Sequence, residues 1–252
     1  MLKAHKGWLT STLRSLGVAL LAVGLSACAV LKDPHASRET TDPWEGWNRK
    51  VFGFNESLDR HVLKPVATAY RDVVPGPVRQ AASNFFGNVG DAWSAVNLLL
   101  QGRFKPGAEQ TMRFAMNSTF GLVGLIDIAT PAGIERRRED LGKTFGRWGF
   151  GQGPYIVWPL LGPSSVRDSI ALPLDRRVSP ALFFSDSQSK WALYSVQTID
   201  ERANLLRAGE LLDAMALDKY SFVRDAYLQR RGNSEKDDDA SGKAPPLGDE
   251  SP

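Results

Sequence analysis

The organisation of this chain follows from residues 42–55, DPWEGWNRKVFGFN. Asp42 is a residue type that caps helices, Pro43 suits the first helical position, and Glu45 follows the cap by three residues. Large apolar side chains then recur every three or four residues, which predicts one stripe along a helix. The stripe consists of Trp44, Trp47, Val51, Phe54, Leu58 and Val62. We therefore expect an aromatic helix that needs a protein core or a membrane surface to lie against.

The first 27 residues have the features of a lipoprotein signal peptide. Basic residues precede an apolar run, residues 16–25, that is too short to cross a bilayer. Small residues then lead to Cys28, the only cysteine in the chain. We predict that residues 1–27 are removed and that Cys28 becomes the acylated first residue, with residues 28–41 as a lipidated tether. The alternative is a signal peptide in which this cysteine is incidental.

Composition limits what the remaining chain can be. The formal net charge of +3 comes from the basic residues of the signal segment, so the rest is formally neutral and gives no indication of nucleic-acid binding. An acylated cysteine leaves no thiol for a disulfide, so packing alone must hold residues 42–231 together as one domain. Residues 232–252 are rich in Asp, Gly and Ser, and we expect them to be disordered.

Helical periodicity with frequent breaks predicts an all-α fold. The opening helix should end near Lys64, before Pro65, with a short further turn over residues 66–73. Residues 77–100 keep an apolar stripe, and two internal glycines predict a kinked or broken helix. The next helix should begin at Pro106. We expect its inward side chains to be Met112, Ala115 and Thr119.

Later segments differ in kind. Residues 141–163 alternate glycine with aromatic residues, and their prolines prevent a long helix, so we expect an irregular loop with one short strand at residues 155–158. Ser164 or Ser165 can cap the helix that follows. Further helices are predicted over residues 186–208, 209–216 and 218–230. The three arginines at 136–138 indicate an exposed loop. The first interpretation of this charge run is a solvated surface, and the second is contact with lipid head groups.

The sequence offers little for catalysis. His61 is the only histidine in the predicted domain, and we expect it at the surface. No metal-ligand spacing, nucleophile elbow or GxGxxG phosphate loop is present. We therefore expect no catalytic residue, no metal and no cofactor, although a carboxylate pair assembled in three dimensions would not be visible in the sequence.

Five amides occur within apolar segments: Asn55, Asn84, Asn88, Asn97 and Asn117. One interpretation is that they cap helices or bond to the backbone beside glycines. The other is that they form a polar lining inside a protein whose outer face is apolar. No segment after residue 28 has the roughly 20 apolar residues that span a bilayer. The pattern therefore fits either a soluble all-α core or a ring of broken helices sunk partly into one leaflet.

Several motifs occur in an order known from one protein family. Residues 42–49 with Phe54-Asn55 resemble the opening signature of the MlaA (VacJ) outer-membrane lipoproteins. Matching motifs follow at residues 64–67, 83–86, 97–102, 113–114, 117–119, 139–142, 153–155 and 159–164. The resemblance is strong over residues 42–168 and looser over 169–230. The chain departs from the family pattern at Asp91-Ala92, where Glu-Pro is usual, and at Lys143 and Phe145, where Gln and Leu are commoner.

The resemblance implies both a fold and a function. Such proteins form a single all-helical domain, a ring of broken amphipathic helices in the inner leaflet of the outer membrane, around a central polar channel. They remove mislocalised phospholipids from the outer leaflet and pass them to a soluble periplasmic carrier (MlaC), which maintains lipid asymmetry without a covalent reaction. They associate with trimeric porins. Ala29, and not Asp, follows the predicted acylated cysteine. This resembles bacterial lipoproteins of the outer membrane, and it implies a lipid anchor on the periplasmic side of the Gram-negative outer membrane.

On this basis we assign candidate roles. The five amides and the glycine-rich loop are candidate channel or gating residues. Candidate membrane-facing residues are Trp44, Trp47, Val51, Phe54, Trp93 and Leu100. Two alternatives come from other functional classes. One is a membrane-anchored phospholipase, which the missing nucleophile motif disfavours, and the other is a structural lipoprotein that binds porins without transporting lipid.

Overall fold

The computed structural model describes residues 41–179 and 185–242, with side chains as far as residue 232. The predicted signal peptide, the acylation site Cys28, most of the tether and the end of the predicted tail lie outside the described residues. These predictions are therefore not tested by the fold. The domain itself begins with the aromatic stretch around which the sequence is organised.

The opening helical run is longer than predicted. Helix α1 spans Glu45–Leu58, a π-helical turn spans Asp59–Leu63, and helix α2 spans Lys64–Val73 without a gap. The π turn lies where the ring of Pro65 would clash with the preceding helical turn, which explains how the helix continues through a proline. Helix α1 has no side-chain cap, so the predicted cap by Asp42 is wrong.

Two long helices follow and pack against each other. Helix α3 spans Gly76–Leu100 and helix α4 spans Phe104–Thr119. The sequence predicts a kinked or broken helix here, and the break is wrong because α3 is uninterrupted through its internal glycines. Gly87 serves close packing instead, because a Cβ atom there would stand 2.5 Å from Nη1 of Arg136.

The rest of the domain combines short helices with one hairpin. Helix α5 spans Leu141–Arg147, and strands β1 (Tyr155–Trp158) and β2 (Gly162–Ser165) pair antiparallel. The strand predicted at residues 155–158 is confirmed, while its partner was not predicted. The later helices are α6 (Val166–Arg177), α7 (Ser187–Asn204), α8 (Leu206–Met215) and α9 (Lys219–Gly242).

The ends of these later helices test two predictions. Of the two serines predicted as alternative caps, Ser165 caps α6, because its hydroxyl accepts a hydrogen bond from the backbone N–H of Asp168 at 3.2 Å. Helix α9 continues past residue 230 and reaches residue 242. It therefore enters the segment that the sequence predicts to be disordered.

Burial in this domain is inverted relative to an ordinary soluble protein. Among the described residues, buried polar and charged side chains outnumber buried hydrophobic ones. The two clusters of packed buried hydrophobic residues are small, and many large apolar side chains are exposed. An exposed apolar surface of this extent indicates contact with another apolar surface, whether protein or lipid. The first cluster contains Val51, Tyr155, Val157, Tyr220 and Tyr227, and the second contains Ala67, Ala203 and Leu206.

Helix α4 shows the inversion most directly. Its buried side chains include Gln110, Arg113 and Asn117, all polar. Met112 is 57% exposed, and Ala115 and Thr119 are exposed as well, so the predicted inward face is wrong. The periodicity located the apolar stripe correctly. The stripe points outward because polar partners on α3 and on the loop after α4 occupy the interior.

Arg113 lies at the centre of a buried ionic cluster that joins α3, α4 and the loop between α4 and α5. Its guanidinium donates to Asp91 at 2.9 Å, to Thr130 at 2.9 Å and to Asp127. Arg136 reaches Asp91 from the other side, also at 2.9 Å. Burial raises the pKa of Asp91 above its usual value, and the two guanidinium groups oppose that rise. The carboxylate therefore depends on both arginines to stay charged.

We expect Arg113→Met to destabilise the domain strongly. The substitution leaves the buried carboxylate of Asp91 and the partly buried carboxylate of Asp127 without their shared partner, which should lower the free energy of unfolding by roughly 3–5 kcal/mol. Thermal unfolding followed by circular dichroism measures this loss. Arg137→Met is the matched control, because Arg137 is exposed and 3.7 Å from Glu109, and such pairs contribute about 0–1 kcal/mol. Equal stability of the two variants would contradict the central role of Arg113.

The same cluster predicts a dependence on pH. Burial alone would raise the pKa of Asp127, but hydrogen bonds from Thr130 and Arg113 lower it to about 2. The value in the unfolded chain is about 3.9, so the carboxylate stabilises the fold above about pH 5, and this contribution is lost as the pH falls towards 2. The stability difference between the parent chain and Asp127→Asn should therefore shrink on acidification in denaturant titrations. A difference that stays constant from pH 6 to pH 2.5 would refute this assignment.

Candidate functional site

A cleft of about 250 Å³ opens between α1, the π turn, the hairpin and helices α7 to α9. Part of its lining is apolar and includes Phe52, Val157, Leu212 and Val223. The rest is mainly charged. Apolar and charged groups in one concave site suit an amphiphilic ligand. The charged lining residues are Glu56, Asp59, Arg60, Lys64, Arg202, Asp213 and Lys219.

Ion pairs join the elements that line the cleft. Arg202 on α7 binds both carboxylate oxygens of Asp59 in the π turn, at 2.5 and 2.8 Å. The ammonium of Lys219 lies 2.8 Å from Glu56 and 2.7 Å from Asp213. The hydrogen bond between Lys219 and Asp213 raises the pKa of the lysine and lowers that of the carboxyl. Both groups are therefore charged at neutral pH.

Of the five predicted amides, Asn55 is the one that lines this cleft. Its Nδ2 donates to the carbonyl oxygen of Trp158 at 2.9 Å, and its Oδ1 accepts from the N–H of Leu160 at 2.8 Å. Leu160 has a left-handed backbone with φ of 65°, which a non-glycine residue adopts only when its surroundings hold it there. Asn55 thus fixes the hairpin turn against α1.

Asn84, Asn88 and Asn117 instead lie together around the loop that follows α4. Asn84 donates to the carbonyl oxygen of Leu125 at 3.0 Å. Asn88 donates to the hydroxyl of Ser118 at 2.9 Å. The Oδ1 atom of Asn117 accepts two backbone N–H groups of the loop, at 2.8 and 3.0 Å. Asn84 and Asn117 fasten the loop to the helix pair α3–α4, while Asn88 joins α3 to α4 because Ser118 belongs to α4.

Asn97 belongs to a third group at the start of the glycine-rich loop. Its Nδ2 donates to the carbonyl oxygen of Trp93 at 3.0 Å, and its Oδ1 accepts from the hydroxyl of Thr144 at 2.8 Å. Gln101 also donates to Thr144, at 3.1 Å. Each of the five amides has a partner within the protein, so a channel or gating role for the set stays a prediction.

The predicted membrane-facing residues divide into two groups. Trp44, Trp47, Phe54 and Leu100 are exposed, Trp47 by 56%. Val51 is buried, and its prediction is wrong, because this side of α1 packs on strand β1 rather than facing outward. Trp93 is half-buried between helices, and its indole N–H donates to Asp175 at 2.8 Å.

An apolar turn after α4 was missed as a site. Leu122 and Val123 have φ of 52° and 59°, a left-handed conformation that is uncommon for any residue other than glycine and rarer still for the β-branched Val123. Both side chains are exposed, together with Phe120 and Ile126. The glycine-punctuated apolar run over residues 117–127 was the available signal. The turn presents a continuous apolar tip held by the amides of α3 and α4.

One arginine of α9 closes the glycine-rich loop at both ends. Nη1 of Arg231 binds both carboxylate oxygens of Asp140 at 2.8 Å, and Nε lies 3.1 Å from Asp168. Tyr227, one turn earlier, donates its hydroxyl to Asp168. Gly142 allows this approach, since a Cβ there would stand 2.4 Å from Asp168 Oδ1. Burial would raise the pKa of Asp140, but Arg231 lowers it.

Two further observations bear on the chemistry of the site. Within the part of the chain that the structure describes, His, Cys, Asp and Glu form no group that could hold a metal ion. In the same residues, no helix is both long enough and apolar enough to cross a membrane.

His61 is exposed, as predicted, and its ring bonds to the carbonyl oxygen of Ser57 at 2.7 Å.

Comparison with known proteins decides the family. Residues 40–234 match the family model described as MlaA lipoprotein. The chain belongs to the MlaA lipoprotein family. The resemblance inferred from the ordered motifs is therefore confirmed, and so is the expectation of a mostly helical single domain.

Individual relatives of the MlaA family agree. The intermembrane phospholipid transport system lipoproteins MlaA of Escherichia coli and Shigella flexneri are each 37% identical over 224 residues, covering 86% of this chain and 87% of theirs. A structure solved to explain the maintenance of bacterial outer membrane lipid asymmetry superposes with a TM-score of 0.66 and 36% identity. That match covers 77% of this chain and 98% of the solved one.

We expect Arg231→Met to loosen the glycine-rich loop. The variant leaves the carboxylates of Asp140 and Asp168 without their shared guanidinium, so local opening of residues 141–163 should become more frequent. Hydrogen exchange by mass spectrometry should show amide exchange in this loop faster by about tenfold or more. Gln229→Met, at an exposed position of the same helix, is the control and should exchange like the parent. Unchanged exchange in both variants would mean that Arg231 does not hold the loop.

Proposed function

We propose that this protein takes mislocalised phospholipids from the outer leaflet of the outer membrane and passes them along a central polar path to a periplasmic carrier. As a member of the MlaA family it is an intermembrane phospholipid transport lipoprotein that maintains outer-membrane lipid asymmetry, and it is not an enzyme. The observation that carries the finer mechanism is the inverted burial, with polar side chains inside and large apolar side chains outside.

The inversion supports a position partly within one leaflet. Moving one large apolar side chain from water into hydrocarbon is favourable by roughly 1.5–3 kcal/mol of free energy. Helix α4 and the turn after it expose several such side chains. The buried side chains of Asn48, Arg113 and Asn117 are hydrogen-bonded within the protein, and a structure at membrane depth requires such internal partners for its polar groups. In this proposal the outer wall of a helical ring includes Trp44, Trp47, Phe54, Leu100, Met112 and Phe120.

The polar path of this proposal passes the charged cleft. Asn55 is the amide placed on the path, because it lines the cleft and fixes the hairpin turn beside it. The glycine-rich loop acts as the gate, with Asn97 at its base and the Arg231 contact at its ends. Asn84 and Asn117 contribute by holding the apolar turn after α4, and Asn88 contributes by joining α3 to α4, not by touching lipid.

The remaining predictions complete the proposal. Residues 1–27 are removed, Cys28 is acylated, and the tether up to residue 41 anchors the domain to the periplasmic side of the outer membrane. A trimeric porin binds the domain within the membrane, and a soluble carrier of the MlaC type collects the lipid. Both partners are proposed on the strength of the family resemblance.

Mass spectrometry of lipids that remain bound to the purified full-length lipoprotein tests this function. We expect intact diacyl phospholipids. Release of lysophospholipids from added phospholipid would favour the phospholipase alternative. Porin binding without any retained lipid would favour the structural alternative, and either result would overturn transport. Arg113→Met is expected to reduce the retained lipid in proportion to the folded fraction only, since it lies outside the cleft.

A further inference from the structure

The charged side chains of the cleft differ in how closely they are paired with opposite charges. Arg202 and Asp59 form a closed pair with two short contacts. The other three cations, Arg60, Lys64 and Lys219, share only two carboxylates of the cleft, Glu56 and Asp213. One positive charge is therefore left in excess.

The excess charge resides on Arg60 and Lys64. Lys219 has the short contacts to both carboxylates, at 2.8 and 2.7 Å. Arg60 is 3.1 Å from Glu56, and its side chain is 63% exposed. Lys64 is 3.7 Å from Asp213, too far for a hydrogen bond. These two cations can therefore bind a ligand without breaking a tight internal pair.

The spacing of Arg60 and Lys64 in the sequence places both side chains at the cleft. Residues 60 and 64 lie one turn apart on the opening helical run, and the π turn between Asp59 and Leu63 widens the helix there. Such turns are frequent at functional sites. A guanidinium and an ammonium together offer several charge-assisted donors for the oxygens of one phosphate.

We propose that Arg60 and Lys64 bind the phosphodiester group of a phospholipid in this cleft. A phosphodiester carries one negative charge, which balances the single excess cation. The inference rests on the proposed transport function and deepens it, because it assigns the group that is recognised. It also implies that the site does not discriminate between the alcohols attached to the phosphate.

The size of the cleft agrees with a headgroup and not with a whole lipid. Pockets that enclose a drug-sized ligand occupy roughly 300–1,000 Å³, and this cleft has about 250 Å³. The apolar lining provided by Phe52, Leu212 and Val223 can contact the glycerol and the first methylene groups. The remainder of both acyl chains would lie outside the cleft.

Binding of short-chain lipids to the full-length lipoprotein in detergent tests the inference. The probes are dihexanoyl phosphatidylethanolamine, dihexanoyl phosphatidylglycerol and dihexanoyl glycerol, which lacks phosphate. Calorimetry should show similar affinity for the two phospholipids and much weaker binding of dihexanoyl glycerol. The double variant Arg60→Gln with Lys64→Gln should lose about tenfold or more in affinity for both phospholipids. Its affinity for dihexanoyl glycerol should be unchanged.

Two controls separate the outcomes. Lys50→Gln removes an exposed lysine of α1 that does not line the cleft, and it should bind like the parent. Inorganic phosphate at equal concentration should not displace the phospholipid, and efficient displacement would indicate a site for free anions instead. Undiminished phospholipid binding by the double variant would overturn this inference alone. Failure of the parent protein to bind any diacyl lipid would overturn the transport function as well.

Discussion

The guanidinium of Arg113 is completely buried, and a charge in that position is tolerated only when opposite charges and hydrogen-bond acceptors surround it. Asp91 and Asp127 supply the charges, and their positions then fix α3, α4 and the following loop around one point. The polar face of α4 must therefore turn inward. Its apolar residues have no place left in the interior, so the same interaction that closes the core creates the apolar outer surface.

An interior built from ions and amides has a second consequence. Hydrogen bonds are directional and need specific partners, so several polar side chains of the interior also position irregular segments. Asn117 holds the turn after α4, Asn97 holds the base of the glycine-rich loop, and Arg231 closes its ends. Backbone that would otherwise be unsatisfied is covered in this way, which is the requirement for irregular structure in an apolar environment.

The sequence predicted helices, the strand at residues 155–158, the Ser165 cap and the family, since each of these depends on local periodicity or on motifs. It could not predict the direction in which the stripe of α4 faces, because periodicity defines a face and not the side on which its partners lie. The burial of Val51 depends on contact with strand β1, more than one hundred residues away. Arg231 joins two carboxylates that are distant from it and from each other in sequence, and no local signal marks it.

The two charged regions of this domain differ in how completely their ions are paired, and this difference separates scaffold from site. Arg113 and Asp91 are almost fully buried, and Asp91 has short contacts to two guanidinium groups, so exchange with a ligand would leave a desolvated charge behind at high cost. In the cleft, Arg60 and Lys64 remain partly exposed and share carboxylates that Lys219 already binds. A phosphate can approach these two side chains while every other pair stays intact. The scaffold therefore keeps its shape during binding, and the energy of recognition is concentrated in the loosely paired cations.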